Sequence, residues 1–213
     1  MGVLALLFLG LVPSYAGATE DGVGLSSALK FSAGIVSAFL IHEGSHALVA
    51  GLTNTDLHWE TGTLNQPIAF TEKANTDSKG FAISSAGLIS QAAGGEIILQ
   101  VDKIDKNDAF VRGMMTWNIL NPVLYSLDYW IFHSTNKING NGYQGDLAGI
   151  EHYSSKAAAD GFALSISAIA VFQGYRFIKT QSWAPDWLKE DSHSMSFAPL
   201  PSGGFIVGYK FDF

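Results

Sequence analysis

Residues 31–52 read FSAGIVSAFLIHEGSHALVAGL. The run is apolar, rich in small residues and free of a Gly-Pro or Asn-Gly break, so it predicts one helix. In its middle His42, Glu43 and His46 spell H-E-x-x-H. Positions four apart share a helix face, so both imidazoles can address one ion. Glu43 lies one step round, where its carboxylate can hold a water against that ion. Two neutral His ligands and a carboxylate base are the zinc-hydrolase arrangement, with Glu43 as the catalytic base. The setting sharpens the expectation: ionisable groups in an otherwise membrane-grade run are costly unless they have a function.

Composition supports a membrane setting. Of 213 residues, 47% are hydrophobic and 15% charged, against about 25% charged in an average globular chain. The net charge is −7 and no basic stripe is present, which gives nucleic acid no footing as a partner. With no Cys, any Zn2+ must be held by His, Asp or Glu.

Outward from the motif, four apolar stretches, 26–52, 81–101, 112–133 and 157–178, predict core helices of bilayer length. Gly34 with Ala38, and Ala33 with Ser37, give the small-xxx-small spacing of close helix packing. Residues 56–71 alternate around a Gly62 and Pro67 break and predict short strands, and the C-terminal residues from 194 onward predict a hairpin. The segment 134–155 is polar and Gly/Asn-rich and reads as a loop. Residues 1–18 read as a signal peptide, with an apolar core over 3–12 and Ala16-Gly17-Ala18 as the cleavage site, although no Lys or Arg precedes that core. The expected fold class is therefore mainly α: a helical membrane bundle of about four core helices with a small β-element, forming one membrane-embedded domain over 19–213. The expected location is integral to a membrane, that of a bacterial cell envelope.

A zinc held by two His needs a third protein ligand. Asp128, Glu96 and Asp146 are the alternatives. Asp128 sits in an apolar, aromatic segment where a carboxylate needs a cation, and Pro122 lets its helix bend toward the first. Glu96 has a longer arm but stands near a helix end. Asp146 ranks last, because a helix positions a ligand better than a loop does. His58, His133 and His152 read as surface or loop residues.

His42-Glu43-Gly44-Ser45-His46-Ala47, followed two helices later by NILNPVLYSLD at 118–128, resembles the site-2 protease family of intramembrane zinc metalloproteases. The resemblance spans about residues 28–132. It implies that the Asp of the second segment, here Asp128, is the third ligand. That segment departs from the family's Leu-Asp-Gly, since Tyr129 stands in place of the Gly. The expected function is a zinc-dependent endopeptidase, in or at the bilayer, that cuts an extended peptide segment or membrane-protein substrate, with membrane lipid as its surroundings. The alternatives are a non-catalytic or degenerate metal-binding membrane protein, and a membrane metal hydrolase acting on a non-peptide substrate.

Overall fold

A computed structural model describes residues 24–63, 66–72, 74–132, 145–189, 193–199 and 205–211. The expected signal peptide and His133 lie outside the described residues. The chain is mainly helical: α1 Leu25–Leu52, α2 Asp77–Gln100, α3 Ala109–Phe132, α4 Asp146–Tyr153, α5 Lys156–Lys179 and α6 Asp186–Lys189. Two antiparallel strand pairs accompany the helices. β1 (Leu57–Thr63) pairs with β2 (Gln66–Glu72) in the register Trp59↔Phe70, and β3 (His193–Pro199) pairs with β4 (Phe205–Phe211) in the register Phe197↔Val207.

Three helices, α1, α2 and α5, are long and apolar enough to cross a membrane. The buried stripe of α1 is Gly34, Ala38, His42, His46 and Ala50, one residue at every fourth position. Its large apolar side chains face outward: Leu29 is 60% exposed and Leu48 62%. A water-soluble helix does the reverse. Small and polar groups inside with leucines outside is the pattern of a helix solvated by hydrocarbon, where close backbone approach and internal polar pairing hold the bundle together.

The core helices alternate in direction. His46 and His42 of α1 meet Ile83 and Gln91 of α2, so these two run antiparallel. α3 runs alongside α1 in the same sense, with Phe39 edge-on to Trp117 at 5.9 Å. These helices touch through small residues, because a Cβ on Gly34 would strike the Phe110 carbonyl and one on Gly113 would strike that of Phe31. α5 returns beside α3, where the Ser126 hydroxyl donates to the Ala163 carbonyl at 3.2 Å. Thr76 and Ser155 cap α2 and α5 by accepting the N–H of Lys79 and Ala158, as N-cap hydroxyls do.

The reading of 134–155 as a loop is corrected over its second half, which contains α4. Leu147 and Ile150, three apart, are 1% and 0% exposed and pack with Leu88, Tyr129, Ala159, Ala163 and Ile166. This single apolar turn has no periodicity long enough to stand out in the sequence, and tertiary packing decides its conformation.

Candidate metal centre

His42 and His46 project from the buried stripe of α1 to one point, 6% and 0% exposed. Their Nε2 atoms are 3.3 Å apart. Asp146, the first residue of α4, closes the group, with one carboxylate oxygen 3.1 Å from His42 Nε2 and the other 3.4 Å from His46 Nε2. Among the described residues this is the one group of three His, Asp or Glu side chains whose ligand atoms lie close enough to share an ion. Two ligands about 2.0–2.1 Å from one ion at the tetrahedral angle stand about 3.3–3.4 Å apart. The 3.3 Å between the two Nε2 atoms matches that spacing, and the two Asp146 oxygens stand 3.1 and 3.4 Å away, each from a different ring nitrogen.

The far side of each ring fixes what the near side offers. His46 Nδ1 lies 2.6 Å from the Ile83 carbonyl; a carbonyl only accepts, so this nitrogen carries the hydrogen. His42 Nδ1 donates to Gln91 Oε1 at 3.1 Å, and the Asn121 amide donates to the same oxygen at 3.0 Å. Both rings are thus held by the outer hydrogen bonds that metal-ligating histidines normally make, and both Nε2 lone pairs turn toward the carboxylate. One Asp146 oxygen is buried without a hydrogen-bond donor. A single proton can bridge two of these atoms, whereas an ion serves all three.

Burial alone would raise the Asp146 carboxyl above its ordinary range, but positive charge on the His46 and His42 imidazoles outweighs it and holds the group well below that range. A cation at this point, proton or metal ion, is thus what keeps the buried carboxylate ionised.

The sequence around each residue explains the convergence. Gly87 of α2 faces the pair directly: a Cβ there would lie 2.5 Å from both Nε2 atoms, so only glycine leaves space for the rings and an ion. Gly145 has φ 88°, and a Cβ on it would collide with the Tyr125 hydroxyl. That left-handed turn, which glycine adopts without strain, swings Asp146 inward. The Asp146 N–H then donates to Tyr125 Oη at 2.8 Å. Glu43 is half-buried beside the group, within electrostatic range of His42, Asp146 and His46.

The other expected residues are elsewhere. Asp128 is exposed, on the outer side of α3 with Leu127 and Ile131, and stands outside the group of His42, His46 and Asp146. The helical face decides this: Tyr125 and Tyr129 turn toward α4, and a residue three after the first and one before the second points away. Glu96 is held by Arg176, whose Nη1 donates to both of its oxygens at 2.8 Å, and it too stands outside that group. His58 and His152 are exposed. Gln91, Gly87, Asn121 and Tyr125 were not assigned roles from the sequence. Gln91 was visible as a polar break in an apolar helix, while nothing local marks the other three.

Comparison with protein-family models, with curated proteins and with solved structures finds no match to this chain.

Proposed function

We propose that the protein is a membrane-embedded, zinc-dependent endopeptidase similar to site-2 proteases, with His42, His46 and Asp146 as ligands and Glu43 as general base. The observation that carries this is the convergence of two Nε2 atoms and a buried carboxylate at separations of 3.1, 3.3 and 3.4 Å, with the Glu43 carboxylate one residue from the first ligand. Two imidazoles and one carboxylate, without thiolate, are a donor set of catalytic zinc sites, which keep a fourth position open. Zinc bound there lowers the pKa of a water and polarises a carbonyl.

Glu43 takes a proton from the attacking water as its oxygen bonds the carbonyl carbon. When the C–N bond breaks, Glu43 returns that proton to the leaving nitrogen, giving a free carboxyl and a free amine. Gln91 and the Ile83 carbonyl keep both rings in the ligating tautomer through this exchange. Site depth supports an extended substrate. His46 lies six residues from the end of α1 at Leu52, about 9 Å at 1.5 Å per residue, whereas the other end at Leu25 is about 26 Å from His42. The centre thus sits near the end of the bundle that carries β1 and β2, whose strand edges suit a chain arriving in extended form.

The test is the purified full chain in detergent micelles. It should bind one zinc and cut an unfolded polypeptide such as reduced casein; Asp146→Ala should lose both, and Asp128→Ala should keep both. Zinc binding without cleavage of any peptide would favour the non-catalytic reading, and undiminished zinc binding in Asp146→Ala would remove the ligand assignment.

A further inference from the structure

We propose that Tyr125 supplies the hydrogen bond that stabilises the oxyanion formed during hydrolysis, a catalytic role that rests on the hydrolase reading above. Tyr125 stands on α3, packed against the Leu88 and Leu147 cluster. Its oxygen accepts the Asp146 N–H at 2.8 Å. A tyrosine hydroxyl accepts and also donates, and among the described residues no group receives its hydrogen. A donor left over in a partly buried site is costly unless something arrives to take it.

The position suits that arrival. Asp146 carries both ends of the relation: its N–H holds the phenol and its carboxylate reaches the two imidazoles. From bond lengths and the 2.8 Å hydrogen bond, Tyr125 Oη is no more than about 7.5 Å from the carboxylate oxygens. A substrate carbonyl oxygen directed at the centre could accept from Tyr125 in that interval. Holding the phenol by its lone pair orients it before substrate binds, and donors fixed in advance are those that stabilise developing charge. The Gly145 backbone makes the approach possible, since any side chain there would displace the hydroxyl.

In the reaction the water oxygen bonds the carbonyl carbon, the C=O π pair moves onto the carbonyl oxygen, and Tyr125 donates a hydrogen bond to that anion without transferring its proton. When the C–N bond breaks, the pair returns to the C=O bond and the hydroxyl is released unchanged.

The experiment uses the full chain loaded with Co2+ in micelles, its visible spectrum titrated with two anions. One is a phosphinic dipeptide, whose tetrahedral P–O− copies the intermediate, and the other is acetate, which is planar. Tyr125→Phe should weaken phosphinate binding tenfold or more and acetate less than twofold, with Co2+ affinity within threefold of wild type. Tyr129→Phe, which loses a phenol bonded to Glu151 instead, should change neither anion. On reduced casein Tyr125→Phe should lower kcat and leave KM in place. Equal losses for the two anions, or a loss of Co2+ affinity as large as that of Asp146→Ala, would reduce Tyr125 to a prop for Asp146 and overturn the proposal. A wild-type protein that discriminates the anions but cuts no peptide would instead sink the endopeptidase reading and leave the donor assignment standing.

Discussion

Replacing Gly87 by alanine tests the centre with one methyl group. The added carbon would lie 2.5 Å from His42 Nε2, His42 Cε1 and His46 Nε2. Non-bonded contact needs about 3.4 Å, so the rings or α2 must yield by about 0.9 Å, while metal–ligand distances tolerate about 0.2 Å. The methyl would also crowd the ion. With the nitrogens 3.3 Å apart, an ion about 2.05 Å from both and a carbon 2.5 Å from both are at most about 3.1 Å from each other. At least one ligand bond is lost, so zinc affinity should fall by about 100-fold or more, which is about 2.7 kcal/mol. Overpacking adds about 1–3 kcal/mol to the cost in fold stability. The assay is competition with a chromophoric chelator in micelles, paired with thermal unfolding with and without zinc. Gly94→Ala is the control: its Cβ would meet only Asn118 Nδ2 at 3.5 Å, an ordinary contact, so zinc affinity should not move. Wild-type zinc affinity in Gly87→Ala would show that the two Nε2 atoms do not share an ion.

Further outcomes follow from the same geometry. Glu43→Gln keeps the shape and removes the base, so zinc stays bound at one per chain while casein cleavage falls by at least about a hundredfold; undiminished cleavage would assign the proton to another group. Gln91→Leu removes the acceptor of His42 Nδ1–H and should cost about 10–100-fold in zinc affinity, whereas Gln91→Glu restores an acceptor and should recover most of it; equal losses in both would mean that Gln91 acts only by packing. Arg176→Ala frees Glu96 on α2 and should lower the unfolding temperature without changing zinc stoichiometry, and a changed stoichiometry would return Glu96 to the ligand set.

The sequence alone determined the helical bundle and two of the three residues of the candidate centre. Period and length are local properties, so α1, α2, α3 and α5 were legible within a few residues, and H-E-x-x-H places two candidate ligands on one face because four residues are close to one helical turn. Gly34 with Ala38 and His42 with His46 were legible there as separate pairs, and the structure joins them with Ala50 in one buried stripe. The third ligand was a different kind of question. Asp128 and Asp146 are both carboxylates beyond the second helix, and composition favoured the one in the apolar segment. The choice turned on which face of α3 looks inward, on a glycine at φ 88° and on two buried residues that fold an apparent loop into α4. Each of these depends on contacts between segments far apart in the chain. Residues acting through such contacts, Gly87, Asn121 and Tyr125 among them, carry no local pattern, because what selects them is the shape and charge of a neighbour that only the assembled bundle brings within reach.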